Sequence, residues 1–329
     1  MRQAGQQDKW IKSLGKSGPR TFCETKEKNS GVSIRQSILE RTLGHLRSVV
    51  REPVPVREVH LTRYFTIVEV SGGRVGTCMS SFNLTDARLS IIEDGLMEQF
   101  GGNALDVVDR ELVYQLVRPR TPEASQANLV ASAFLAAIAS ALSVDIIREG
   151  GDTRFHVSDR PPAFPSDVET ALVIGFGGYF DELAAMPSTR HIHVADLAYH
   201  RRRSAMDEQM ESYRRRFPGK RLTISGAARD AEMQGYELVC ISGSTLGNGT
   251  LDRVLSGIDR RATVVLQGQS ASIHPVALFD AGVTWIATTV KPPALTLLAR
   301  GDYSGKRCRE LLEGGLPWLY LLPRGRHPA

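Results

Sequence analysis

Hydrophobic positions change their spacing along the chain in a way that marks two kinds of architecture. From Ser33 onward, Ile34, Ile38, Leu39, Leu43 and Leu46 recur at three- and four-residue intervals, predicting an amphipathic opening helix that Pro53 and Pro55 end. YFTIVEVSGGRVGTCMSSF follows, two β-rich runs around Gly72 and Gly73, and reads as a hairpin. Helical stretches at about 90–100 and 104–116 lead past Pro119 and Pro122 to Ala127–Val144, a run without charge. That run is short for a membrane span and is interrupted by Asn128, Ser132, Ser140 and Ser143, so a small-residue helix buried in a folded body is expected. Residues 32–150 are therefore expected to form a small α+β domain.

The proline-rich RPPAFPSD at 160–167 closes an expected linker, 151–167. Beyond it the pattern alternates. Apolar runs at 171–176, 191–197, 222–226, 237–243, 262–268 and 283–290 read as strands, the last being the final clear one. Helical segments at about 205–217, 250–258 and 275–281 lie between them. Continuous apolar strands alternating with helices mean a parallel sheet covered on both faces. The fold class is α/β: a doubly wound, mostly parallel, Rossmann-like domain over 168–329, preceded by the smaller α+β domain.

Charge changes this picture little. The 329 residues carry 41 Lys plus Arg against 36 Asp plus Glu, a formal +5. Seven basic and three acidic residues fall within 1–31, a polar stretch without apolar period that is expected to be a mobile basic tail. The rest is nearly balanced, and its basic residues are not interleaved with aromatics, so nucleic acid is not an expected partner. Neither is a membrane. Cys23, Cys78, Cys240 and Cys308 are far apart, which suggests neither a zinc knuckle nor a disulfide framework. The expected compartment is the cytoplasm, the expected ligand a small molecule, and a homodimer stays open.

In a doubly wound sheet a ligand sits beyond the carboxyl ends of the strands. Three strand ends here are rich in small and polar residues. The first, IGFGGYFDEL, has Gly175, Gly177 and Gly178, which would let the backbone approach a ligand; Phe180 stands where a dinucleotide fingerprint needs glycine. Asp196, about twenty residues further on, has the spacing of a ribose-binding acid, and equally of a strand-end cap. The second end, ISGSTLGNGTLDRVL, places Ser242, Gly243, Ser244, Thr245, Asn248 and Thr250 in a polar loop running into a helix, suited to an anion or an amino-acid-like ligand. The third, LQGQSASIHP, offers Gln267, Ser270 and His274. His274 could serve as an acid–base or metal group. His191 and His193 share one strand face at a spacing that metal sites use, although ordinary strand histidines look the same.

The segment ELVCISGSTLGNGTLDRVL, followed by VVLQGQSASIHPVALFDAGVTWIATTV, resembles the putative heavy-metal chelation family, a family of unknown function. Ser242-Gly243-Ser244-Thr245, Asn248, Thr250 and Leu251 match one of its motifs; Gly268, Ser270 and Pro275 match another, with Gln269 in place of the usual proline. The resemblance implies a Rossmann-like second domain, a first domain similar to the N-terminal domain of enolases, and a cleft between them for a metal or a metal-chelating small molecule. Two functions are carried forward. One is a protein that binds a small anionic, metal or metal-chelator ligand in that cleft, in metal handling or metallophore metabolism. The other is an S-adenosylmethionine-dependent small-molecule transferase (methyl or 3-amino-3-carboxypropyl transfer, or cyclisation), with Gly175, Gly177, Gly178 and Asp196 on the cofactor. A nicotinamide-dependent oxidoreductase ranks third. Whether the chain is an enzyme stays open, and neither S-adenosylmethionine nor a divalent metal is fixed by the sequence.

Overall fold

The computed structural model describes residues 36–107, 110–150, 152–176, 179–226 and 232–325, with the side chain of Glu313 excepted. The tail at 1–31 lies outside them, as do Gly177 and Gly178.

Helix α1 (Ile38–Val49) opens with a capping box: the Glu40 amide donates to Ser37 Oγ, and the Ser37 amide donates to the Glu40 carboxylate. Its buried face is the predicted one, Ile38, Leu39, Leu43 and Leu46. The predicted hairpin forms strands β2 (Phe65–Val70) and β3 (Arg74–Met79). A strand not anticipated from the sequence, β1 (Val56–Leu61), pairs antiparallel with β2 to complete a three-stranded sheet. Helix α2 spans Asp86–Phe100. The helical stretch expected at 104–116 is instead a 3₁₀ turn at Ala104–Asp106 followed by α3 (Arg110–Val117). The small-residue helix is α4 (Ala124–Glu149). It is long and apolar enough to cross a membrane, yet 89% of its apolar window is buried inside the fold.

The second sheet has eight strands: β4 (Phe155–Ser158), β5 (Thr170–Ile174), β6 (His191–Ala195), β7 (Arg221–Ser225), β8 (Leu238–Ser242), β9 (Thr263–Gln267), β10 (Trp285–Thr289) and β11 (Trp318–Pro323). Their order is β4-β11-β10-β9-β8-β5-β6-β7. The six strands from β10 to β7 are parallel, while β11 and β4 add antiparallel at the edge. β4 falls inside the segment expected to be a linker, and β11 lies beyond the strand taken from the sequence as the last. Helices α5 (Phe180–Ala185), α6 (Tyr199–Arg216), α7 (Ser244–Gly247), α8 (Leu251–Gly257) and α9 (Val276–Asp280) connect the parallel strands.

Side chains alternate between two cores. Leu172, Ile174, Val239, Ile241, Val264 and Leu266 face the cluster that includes α1 and α4, whereas Ala171, Val173, Leu238, Cys240 and Val265 face a second cluster with Phe180 and Met210. Both faces being covered explains the unbroken apolar runs. The chain then returns to the hairpin: α10 (Ala294–Ala299) and α11 (Lys306–Glu313) bury Leu295, Ala299, Cys308 and Leu312 against Phe65, Ile67 and Val75. The three-stranded sheet thus has α4 on one side and the C-terminal helices on the other.

The α4 contact is backbone to backbone. A Cβ at Gly76 would stand 2.0 Å from Ala137 O and 2.3 Å from Ala141 N. Gly76→Ala is therefore expected to destabilise by at least the ~1–3 kcal/mol of ordinary overpacking. Gly44→Ala, at an exposed helix position with nothing within 4 Å of the new Cβ, is expected to stabilise by about 0.5–1 kcal/mol. Urea denaturation midpoints of the two variants should move in opposite directions.

Candidate functional site

Counting from β5, the parallel strands have the order 3-2-1-4-5-6, and the winding reverses between β5 and β8. Register aligns the ends there: Ile174 pairs with Ala195 of β6 and with Ile241 of β8. The crevice outside these ends is where such a fold binds ligands. A cavity of about 120 Å³ occupies it, lined among others by Gly175, Asp196, Ser244, Thr245, Asn248 and Thr250. Six residues singled out from the sequence converge on it. Leu197, Met233, Arg253 and Val254 also line it and carried no sequence signal of their own.

Gly175 is required twice. Its φ is +86°, and a Cβ would lie 2.7 Å from Ser242 Cβ on the neighbouring strand end. Asp196 is held by main chain: Phe176 N donates to one carboxylate oxygen and Ala198 N to the other, both at 2.7 Å. Asp196 thus ties together the turns after β5 and β6 while still facing the cavity, and it is not the N-cap of α6, where Ala198 stands. The 242–250 loop is bound internally. Thr245 Oγ1 donates to Ser242 O at 2.8 Å, Ser242 and Ser244 share a hydroxyl contact of 2.9 Å, and Asn248 Oδ1 accepts from Thr250 N and Oγ1. Part of its small-residue content is packing. A Cβ at Gly247 would lie 2.5 Å from Cys78 Sγ and Met79 O, so the loop is wedged against the end of β3.

The remaining predicted residues are distributed elsewhere. Gly243 N donates to Gln267 O at 2.6 Å, tying the β8 and β9 ends together. Ser270 is buried and accepts from Met79 N at 2.7 Å, a link to the hairpin. His191 and His193 face β7: His191 Nε2 and His193 Nδ1 lie 3.2 and 2.8 Å from Thr223 Oγ1, and His193 Nε2 lies 3.0 Å from Ser225 Oγ. Tyr236 lies beside both rings.

His274 lines none of this cavity. It is 1% exposed, packed between the rings of His45 at 4.4 Å and Phe155 at 5.6 Å. Its Nε2 is 3.2 Å from Asp152 Oδ2 but is not aligned for a hydrogen bond, and it has no hydrogen-bond partner. Arg154 joins the group, donating to Asp152 through Nε at 3.0 Å and Nη2 at 2.7 Å, with Nη2 2.9 Å from His45 Nε2. His45, Asp152 and Arg154 come from segments distant in sequence, with no motif spacing to reveal them. Burial pushes the His274 imidazole down to about 4, with His45 adding to the effect. Burial, then Arg154, lowers His45 as well. The hydrogen bond from Arg154 holds the Asp152 carboxyl at about 2.

A wider open groove of about 340 Å³ runs along β1 and α2. Its polar groups serve one another. Arg300 pairs with Glu58, His60 lies 3.0 Å from Glu58, and Glu93 accepts from Leu61 N and Tyr303 Oη.

Strand order, glycine turn and cavity position define a Rossmann-type α/β protein with a pocket at its switch point. Residues 173–300 are matched by the model of the putative heavy-metal chelation family, which bears out the likeness read from the sequence. A solved structure of a family protein of unknown function from Desulfitobacterium hafniense superposes with a TM-score of 0.56 at 15% identity, covering 87% of this chain and 98% of that one. Another family protein of unknown function, from Pyrococcus horikoshii, gives 0.50 at 13% identity, covering 87% of this chain and all of that one (100%). At such identities the likeness is one of fold. No curated protein matches the chain.

The buried imidazole makes stability pH-dependent. An unfolded histidine titrates near 6.5 and His274 near 4, so the unfolded chain takes up this proton first. Stability is expected to be full above pH 6.5 and to fall as pH drops toward 4. The loss from His274 is on the order of 2–3 kcal/mol. His45 acts in the same direction, while Asp152 titrates below this window. Urea titrations between pH 7.5 and 4.5 should show this slope, and His274→Gln should flatten it.

Proposed function

We propose that this chain is a metal-related binding protein that takes a small anionic or metal-chelating ligand in its switch-point cavity. One observation carries the reading: Gly175, Asp196, Ser244, Thr245, Asn248 and Thr250, from three different strand ends, line the same cavity as the cationic Arg253. Both Asp196 oxygens already accept main-chain amides, so its negative charge is spread into the turns it organises. Arg253 then supplies the positive charge that a carboxylate-rich ligand pairs with, and Ser244 adds a donor when Ser242 provides the hydrogen of their shared contact. The family description, putative heavy-metal chelation, supports a ligand that is itself a chelator or carries a metal. The donors would grip the chelator's free carboxylates, and the metal would remain with the chelator.

Thermal unfolding tests this with citrate, citrate plus Ni²⁺, and S-adenosylhomocysteine as separate probes. A ligand at ~100 times its dissociation constant stabilises by roughly 2.7 kcal/mol, a rise of a few degrees. The expected result is a rise with citrate or its nickel complex that Arg253→Gln removes. A rise with S-adenosylhomocysteine alone, unchanged by Arg253→Gln, would replace this reading with the transferase one, since Gly175 and Asp196 also line the cavity. No rise with any probe would remove the cavity as a site for these classes.

A further inference from the structure

The geometry points to a protein-borne metal site: His45, Asp152 and His274 form a three-donor pocket for a zinc-like divalent cation, with the Arg154 guanidinium competing for two of the three donors. This does not rest on the switch-point reading, because none of the three donors lines that cavity.

The donor atoms converge from three elements: His45 from α1, Asp152 from the segment between α4 and β4, and His274 from the segment leading into α9. One ligand atom from each lies within 4.8 Å of the others. Bonds of about 2.0–2.2 Å put tetrahedral donors roughly 3.4 Å apart, so the widest pair needs to close by at most about 1.4 Å. His274 Nε2 is the observation that asks for a ligand. It is a buried polar atom at this pocket whose 3.2 Å contact with Asp152 Oδ2 misses hydrogen-bond alignment, a degree of dissatisfaction that folded proteins largely avoid. The β6 histidines make the contrast, since their nitrogens already meet the hydroxyls of Thr223 and Ser225.

Arg154 shows what the pocket prefers. Its Nη2 donates to Asp152 Oδ2 at 2.7 Å and lies 2.9 Å from His45 Nε2, a positive group beside two of the three donor atoms. Its side chain is 47% exposed, so it can swing into solvent when a cation arrives. Two imidazole nitrogens and one carboxylate oxygen match Zn²⁺, Co²⁺ or Ni²⁺, with water completing the shell. Mg²⁺ and Ca²⁺ prefer more oxygen donors. The edge of Phe155 walls the site beside His274.

The test is titration of the chelator-stripped full chain with Zn²⁺ against a competing indicator, and with Co²⁺ followed by its visible absorption. The expected result is one equivalent bound. His45→Ala and Asp152→Asn, at positions less buried than His274, should each weaken binding by more than the ~10–100-fold typical of lost outer-shell partners. Arg154→Ala should tighten it by about tenfold, the size of one charge-assisted hydrogen bond no longer competing. A merely structural network would show the reverse: Arg154→Ala would gain no affinity. Arg253→Gln should leave metal binding unchanged, which separates this site from the switch-point cavity. Binding undiminished in His45→Ala and Asp152→Asn, or absent at micromolar metal in both the unmodified chain and Arg154→Ala, would overturn the assignment.

Discussion

Helix α4 and strand β3 meet with no side chain between them at Gly76, and the buried polar seam between the two sheets lies beside that contact. A helix of alanines and serines can lie this close to a strand because it has little side-chain bulk to place. The closeness buries Ser132, Ser140 and Ser143 against the rest of the fold; the last two find partners, while Ser132 Oγ has no hydrogen bond. Ser143 donates to Ala139 O in its own helix at 2.6 Å, and Ser140 meets Ser272 at 2.6 Å across to the Rossmann sheet. Ser272 also receives the ammonium of Lys291, which is 1% exposed and donates in addition to Gln269 O and Thr289 O. Burial pulls that ammonium down to about 7, while three oxygen acceptors work in the opposite direction and favour its charged form. The small antiparallel sheet and the large parallel one are thus joined by a buried polar seam as well as by apolar packing.

Much of this was legible in the sequence, for identifiable reasons. β5 and β8 are buried on both faces, so 171–174 and 238–241 are apolar without interruption and announce themselves. β1, β4 and β11 do not. Val56–Leu61 mixes Arg57, Glu58 and His60 among its apolar residues, and β4 and β11 form antiparallel pairs at one end of the large sheet, stabilised by partners distant in sequence. The switch-point loop was visible because glycine and hydroxyl residues cluster within a few positions of one strand end. What the sequence could not apportion was their purpose. Gly247 serves close packing on β3, which its place in a polar strand end did not reveal, and Asp196, open to a ribose or a cap reading, organises two turns. Arg253 and Val254 reach the cavity from α8, whose sequence reads as an ordinary helix. His274 stood out, but its companions His45 and Asp152 did not, because tertiary structure alone brings these three segments together.

The segment from Gln267 to His274 decides how each site can move. Gln267 O receives Gly243 N, Ser270 receives Met79 N, Gln269 O receives Lys291, Ser272 meets Ser140, and His274 ends the run beside Asp152. A stretch pinned at so many successive points cannot shift one residue to satisfy one atom without breaking bonds elsewhere. His274 therefore keeps its imidazole where the seam places it, and its Nε2 stays without a hydrogen bond although Asp152 is near. Asp152 and Arg154 lie nearer the surface, with the Arg154 side chain half in solvent. Any closure around a cation must then come from the Asp152 and His45 side toward a fixed His274. The same pinning holds Gly243 and the β8 end in register beside Gly175, so the switch-point cavity is preorganised by hydrogen bonds that lie outside its own wall.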